Sequence, residues 1–368
     1  MVINLESQSE LSSFYVVYNG STLIENKGEK GLSHFLEHLL CQNLDKYQDE
    51  FQIDGITQNA YTSANEIVFF IEGLEDKVKK WRNRFLNGLS EFKIEKDRFE
   101  NERKIVIEEY KDSFNEQLQA HYLNLDRKLY GNYNPIGKLE DIQNASYLDC
   151  INFYEKQFLK PSKIINVSKN FPFNYSGDFS NEKINKTFSK KDGINDIEEF
   201  RFDKKTSLIL KSDIIKDDHN IIKFVCNLFS NGLNSPLYQE IREKKGLVYF
   251  INLFVDRLNN DGDINFMTVT SDENIEQVLG CIKDVFDNYK KYITKDRFDN
   301  IKEATRVTLK MNEIDRYKYI NRWVNPKNHN VIEILDKLTL DKCYNIIEKY
   351  FNYDNFYIST DKKEFDLK

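Results

Sequence analysis

The stretch HFLEH, from His34 to His38, places two of the five histidines of this 368-residue chain four residues apart. Residues four apart on an α-helix lie one above the other, so His34 and His38 would direct two imidazoles at one point. Glu37 projects near the same face, where it could act on a metal-bound water without being a ligand itself. Two interpretations stay open here: a zinc site, or two histidines packed within an apolar core.

A third ligand would have to come from another element, because a catalytic zinc usually takes three protein ligands and keeps a fourth position open. The segment FENERKIVIEEYKDSF, 99–114, predicts a helix on which Phe99, Glu102, Val106 and Glu109 form one stripe. Carboxylates at core positions are costly unless a cation meets them, which makes Glu102 and Glu109 candidates for the third ligand. The alternative is that the stripe turns toward solvent and both glutamates are surface charges.

Composition limits the class of protein. Hydrophobic residues make up 40% and charged residues 31% of the chain, which predicts a folded protein, and the length of 368 residues predicts two domains. The net charge of −7 argues against nucleic acid as a partner. No membrane span or leader pattern is visible, and the five cysteines are scattered, so we expect free thiols and a cytoplasmic location.

Strand and helix patterns are mixed in both halves, which predicts an α+β fold with two similar domains. Each domain is expected to hold a mixed, mostly antiparallel sheet packed with helices. The polar segment 176–197 predicts a linker between a first domain, 1–175, and a second, 198–368. Predicted strands cover 13–18, 57–63, 66–72, 207–211, 246–255, 263–270 and 356–359, and predicted helices cover 31–44, 47–53, much of 96–129, 220–230 and 236–245.

Three further stretches, at 55–70, 130–142 and 241–251, read GITQNAYTSANEIVFF, YGNYNPIGKLEDI and IREKKGLVYFI. With HFLEH and the two glutamates seven residues apart, they resemble the inverzincin metallopeptidases, whose helix carries an inverted HxxEH motif. The resemblance spans most of the chain. It departs from the family at Asn134, where histidine is usual, in a short N-terminus that lacks the family's first strand, and in a shorter interval from the histidines to the second glutamate.

This resemblance implies a zinc site with one ion per chain. His34, His38 and Glu109 would be the ligands, and Glu102 would be a supporting carboxylate. Zinc lowers the pKa of its bound water, so Glu37 could take a proton from that water and pass it to the leaving amine.

The resemblance also implies residues that bind substrate. Arg242 and Tyr249 would donate to the oxyanion in the site of a partner chain, which implies a homodimer or a heterodimer with a related chain. Without the family match, Arg242 reads as a surface helix charge and Tyr249 as a strand packing residue. The edge strand that would pair with an extended peptide consists of Asn59, Ala60, Tyr61 and Thr62.

The function implied is a zinc-dependent endopeptidase that cleaves peptides or unstructured segments in a closed dimeric chamber. Removal of leader segments from precursor peptides is one form this activity would take. The alternative is an inactive structural or partner subunit of a related peptidase complex, and a third is an active chain that needs a catalytically empty partner.

Overall fold

The computed structural model describes residues 1–7, 9–181, 184, 188, 205–258, 261–314, 320, 322–324, 330–361 and 364–365. The chain forms two compact units, Met1–Ser113 with Gly131–Lys186 and Phe114–Tyr130 with Thr187–Lys368. Most of the predicted linker, 176–197, lies outside the described residues. Among the described residues, we find no helix whose length and hydrophobicity would allow it to span a lipid bilayer.

The first unit is built on a five-stranded sheet in the order β1-β5-β2-β4-β3. β1 and β5 pair in parallel and the other neighbours are antiparallel. The buried residues of β2, from Ser12 to Tyr18, lie in the middle of the sheet. The strands are β1 (Val2–Leu5), β2 (Leu11–Asn19), β3 (Thr57–Thr62), β4 (Glu66–Leu74) and β5 (Lys163–Val167), and the helices are α1 (Leu32–Asp45), α2 (Gln48–Asp54), α3 (Glu75–Leu89), α4 (Lys96–Ser113), α6 (Leu139–Asn144) and α7 (Tyr147–Gln157).

The second unit holds an antiparallel sheet in the order β10-β9-β6-β8-β7. It includes α5 (Gln117–Tyr130), which lies between two segments of the first unit in the sequence. A buried ion pair, 2.8 Å from Asp126 Oδ1 to Lys211 Nζ, holds α5 to the sheet. The strands are β6 (Thr206–Lys211), β7 (Asn252–Leu258), β8 (Asp261–Thr270), β9 (Tyr357–Thr360) and β10 (Glu364–Phe365), and the helices are α8 (His219–Ser230), α9 (Ile275–Asp287), α10 (Tyr289–Tyr292), α11 (Lys295–Ile314), α12 (Val331–Asp336) and α13 (Leu340–Tyr350).

The two units share one strand order. In the first, the successive strands β2, β3, β4 and β5 lie in the order β5-β2-β4-β3, and in the second β6, β7, β8 and β9 lie in the order β9-β6-β8-β7. The strand that comes second in each series, β3 in the first unit and β7 in the second, therefore lies at an edge of its sheet. The predicted α+β class with two similar, mostly antiparallel units is confirmed.

Several predicted elements are corrected. The long helix expected within 96–129 is two helices, because α4 ends at Ser113 and α5 begins at Gln117. The predicted absence of a first strand is wrong, since β1 precedes β2 and pairs with β5, itself unpredicted. The strand expected at 246–255 begins only at Asn252.

Candidate metal centre

The N-terminus of α1 is held by two features of the preceding loop. Gly31, at φ 99°, starts the helix, and the buried carboxylate of Glu25 accepts the backbone N–H groups of Gly31 (3.1 Å) and Ser33 (2.8 Å). A Cβ on Gly137, at φ +71°, would lie 2.3 Å from Gly31 Cα, so only glycine permits this backbone contact. Asn134, in the same turn, accepts the Ile136 N–H through its side chain at 3.0 Å. The stretch 130–142 thus positions the start of α1.

From this start, α1 buries its leucines and Phe35 and turns both motif histidines toward α4. The two Nε2 atoms of His34 and His38 lie 3.2 Å apart. Glu109 Oε2, from α4, lies 3.5 Å from His34 Nε2 and 3.4 Å from His38 Nε2. The predicted stripe on α4 does face α1, since the Phe99 ring lies 5.2 Å from that of Phe35 and Glu102 contacts His38. Val106, also in the stripe, is buried.

These three atoms fit the chemistry and the dimensions of a zinc site. Tetrahedral ligands about 2.0–2.1 Å from zinc are about 3.3 Å from one another. The three observed separations are 3.2, 3.4 and 3.5 Å, so one ion could contact all three atoms. The Glu109 side chain is 45% exposed, so one side of this three-atom cluster is open to solvent.

Protonation of the imidazoles is set by their surroundings. Burial, with a further contribution from His38, lowers the pKa of His34 to about 3, so its ring is neutral at pH 7. Burial opposes protonation of His38 too, but the hydrogen bond to Glu102 and the charges of Glu109 and Glu37 outweigh it and raise its pKa. Two facing ring nitrogens repel each other unless a proton or a metal cation lies between them.

Glu102 orients one of the two imidazoles. Its Oε1 lies 2.8 Å from His38 Nδ1, and because a carboxylate only accepts, the ring nitrogen must donate. The hydrogen bond from His38 is the main reason that the pKa of Glu102 is lowered. This assigns the lone pair of neutral His38 to Nε2, the atom that faces His34 and Glu109. His34 Nδ1, by contrast, is buried and makes no hydrogen bond among the described residues.

Glu37 lies on the same helix face and contacts the edge strand. Thr62 Oγ1 donates to Glu37 Oε2 at 2.7 Å. Burial raises the pKa of Glu37, although the Thr62 hydrogen bond opposes the rise. This contact was not predictable from sequence patterns, because it joins residues that are 25 positions apart on different elements.

The predicted peptide-binding residues lie on β3, which is an edge strand of the first sheet. Within it, Asn59 is exposed and Ala60 and Tyr61 are half-buried. The Asn59 side chain accepts the backbone N–H of Ala60 at 2.8 Å. A strand added at this edge would compete with that side chain for the Ala60 N–H.

Arg242 and Tyr249 form a cluster in the second unit. Arg242 lies in a π-helical turn, Tyr238–Glu243, and donates to the Tyr238 hydroxyl. Its guanidinium lies 4.9 Å from the Tyr238 ring centroid and 5.1 Å from that of Tyr249. Tyr249 precedes β7 and is 75% exposed, so the alternative that it is a strand packing residue is wrong. Its hydroxyl is available to a ligand.

The arrangement is that of a two-unit α+β protein with a candidate metal centre on one unit. Residues 1–136 match the family described as Insulinase (Peptidase family M16), and residues 175–305 match the one described as Peptidase M16 inactive domain. The chain belongs to peptidase family M16, and the resemblance to inverzincins is confirmed.

Individual relatives agree with this family. An uncharacterized zinc protease of Rickettsia felis is 21% identical over 366 residues, which cover 89% of this chain and 87% of the relative. The mitochondrial-processing peptidase subunit beta of Neurospora crassa is 26% identical over 144 residues, 36% of this chain and 30% of that one. A protease from Helicobacter pylori has the same fold, with a TM-score of 0.81 at 18% identity, covering 98% of this chain and 96% of that chain.

Proposed function

We propose that this chain is a zinc-dependent endopeptidase that cleaves peptides or unstructured segments. The observation that carries the proposal is the triangle of His34 Nε2, His38 Nε2 and Glu109 Oε2, whose edges match those of a tetrahedral zinc site. A zinc ion bound there, one per chain, would act as a Lewis acid and lower the pKa of water toward about 7.

Glu37 is proposed as the general base. Its carboxylate would accept a proton from the attacking water and deliver it to the nitrogen of the leaving amine. Burial suits this role, because the raised pKa makes the carboxylate a better proton acceptor than an exposed glutamate. The Thr62 hydroxyl, 2.7 Å from Oε2, would hold the carboxylate in place during both transfers.

The substrate is proposed to be an extended peptide. It would add a strand beside β3, along Asn59, Ala60, Tyr61 and Thr62, and its backbone would supply most of the hydrogen bonds. Such binding requires an unfolded segment and imposes little sequence selectivity. General peptide turnover and removal of leader segments both fit this mode.

Arg242 and Tyr249 are proposed to donate to the developing oxyanion. The two tyrosine rings around the Arg242 guanidinium would hold it in one orientation. We propose that the pair completes the site of a partner chain in a dimeric chamber. A homodimer is the simplest form, because one chain carries both groups of residues, and a heterodimer with a related chain is the alternative.

The test measures metal and cleavage together. We expect about one zinc per chain, cleavage of unfolded peptides, and loss of cleavage with zinc retained in Glu37→Gln. The matched control is Glu108→Gln, an exposed glutamate on α4 that pairs with Lys111. Zinc content unchanged in a His34→Ala, His38→Ala double variant would refute the metal site.

The alternative function, an inactive structural or partner subunit, predicts a different result. A wild-type chain that binds zinc but leaves unfolded peptides intact, alone and as a dimer, would favour it. The converging ligand atoms argue against this alternative, since loss of one of them is what an inactive chain would be expected to show.

A mixing experiment tests the shared site. Glu37→Gln chains and Tyr249→Phe chains are each expected to be inactive as pure dimers. Random mixing makes half of the dimers mixed, with one intact site each, so about a quarter of the wild-type activity should return. Mixed dimers without any recovered activity would show that the two groups act within one chain.

A further inference from the structure

We infer that Gln42 is a positioning residue for the proposed zinc site, acting through Glu102 on His38. This inference rests on the proposed function and adds a residue to it. Gln42 lies one turn after His38 on α1, so His34, His38 and Gln42 follow one another at intervals of four along one helix face. Gln42 is therefore the third residue on the helix face that carries the two histidines of the HxxEH motif.

The contacts form a relay through the Glu102 carboxylate, which accepts a hydrogen bond on each of its oxygens. The Gln42 amide Nε2 donates to Glu102 Oε2, and Glu102 Oε1 accepts from His38 Nδ1 at 2.8 Å. Both carboxylate oxygens are thus occupied by donors from the same helix, which fixes the plane of the carboxylate as well as its position. With only one donor, Glu102 could rotate about its terminal bond and the imidazole would lose its alignment.

The orientation of the amide is decided by chemistry. An ionised carboxylate offers no proton, so the Gln42 nitrogen and not its oxygen must face Glu102. The Gln42 oxygen, Oε1, is then buried with no hydrogen-bond partner among the described residues. Burying an amide oxygen without a partner is unfavourable, and the donor contact to Glu102 offsets that cost.

This relay matters because, among the described residues, only the His38 ring is hydrogen-bonded to a residue outside the proposed ligand set. His34 Nδ1 makes no hydrogen bond among the described residues, so alignment of the pair depends on His38. Outer partners of metal-bound histidines typically change metal affinity by about 10- to 100-fold. Gln42 is one step more remote than Glu102, and we therefore expect an effect near the lower end of that range.

The experiment compares zinc affinities by competition with a chromophoric chelator. Gln42→Met keeps the length of the side chain and removes the donor, and we expect about tenfold weaker zinc binding. Gln42→Lys keeps a donor that can reach Glu102 and should bind zinc within about threefold of wild type. Gln52→Met, at an exposed position of α2, is the matched control for the change of residue type.

A second measurement reports geometry independently of affinity. Cobalt substituted for zinc gives visible absorption bands that depend on ligand arrangement, and these bands should shift in Gln42→Met and not in Gln52→Met. The inference is overturned if Gln42→Met binds zinc as tightly as wild type with unchanged bands, or if Gln42→Lys weakens binding as much as Gln42→Met. A wild-type chain that binds no zinc would instead overturn the proposed function.

Discussion

Shortening the third proposed ligand by one carbon is the sharpest test of the metal centre. Glu109→Asp keeps the charge and withdraws the carboxylate by about 1.5 Å. Glu109 Oε2 now lies 3.4 and 3.5 Å from the two imidazole nitrogens, so an aspartate oxygen would lie roughly 5 Å away, too far to share an ion with them. A zinc ion would then be held by two imidazoles alone.

The magnitude follows from the energy of a zinc site. Structural zinc sites with four protein ligands bind zinc with roughly 10–16 kcal/mol, which is about 3 kcal/mol for each ligand. Loss of that amount predicts about 100-fold weaker zinc binding. Chelator competition at pH 7.5 would measure it.

The control for Glu109→Asp is Glu108→Asp, the same change at the exposed neighbouring residue, which should leave zinc affinity unchanged. Glu109→Gln keeps the reach and removes the charge, so it should fall between wild type and Glu109→Asp. Zinc affinity of Glu109→Asp within threefold of wild type would show that this carboxylate is not a ligand.

Three other changes have definite expected outcomes. Burial lowers the pKa of His121 to about 4, so as pH falls the unfolded chain takes up a proton before the folded chain does. Between pH 6.5 and 4, this residue should therefore lower the free energy of unfolding by about 1.4 kcal/mol per pH unit. Denaturant unfolding at pH 7 and pH 5 measures the loss of stability, which should be about 2 kcal/mol smaller in His121→Gln than in wild type. Gly137→Ala should lower the free energy of unfolding by about 3 kcal/mol, because it places an alanine in the left-handed backbone region and its Cβ clashes with Gly31. An unchanged melting temperature would contradict this prediction. Thr62→Val removes the hydrogen bond to Glu37, so kcat should fall about tenfold with zinc content unchanged, whereas Thr62→Ser should keep most of the activity.

Local periodicity explains why part of the geometry of the candidate metal centre was predictable. The spacings of four and seven residues on α1 and α4 define which side chains share a helix face, and the structure brings those faces together. The roles of Gln42 and Thr62 were not predictable, because each depends on a partner more than 20 residues away. Periodicity indicates which way a side chain points but not which partner it meets.

Long-range pairing also explains the missed elements. β5 pairs with β1 and β2, more than 140 residues away, and its five buried residues are too few for a distinct pattern. The break between α4 and α5 was missed because no glycine or proline marks residues 114–116. The apolar run before Asn252 predicted a longer strand, and Tyr249 instead lies in a loop with its ring against Arg242.

The placement of α5 determines how this protein can be divided. The helix belongs to the second unit although residues of the first unit precede and follow it in the chain. A cut after Lys186 would leave α5 on the N-terminal fragment, with Asp126 separated from the buried amine of Lys211. The two halves expressed as separate polypeptides would each carry an uncovered surface, and only co-expression would allow that helix to reach its sheet.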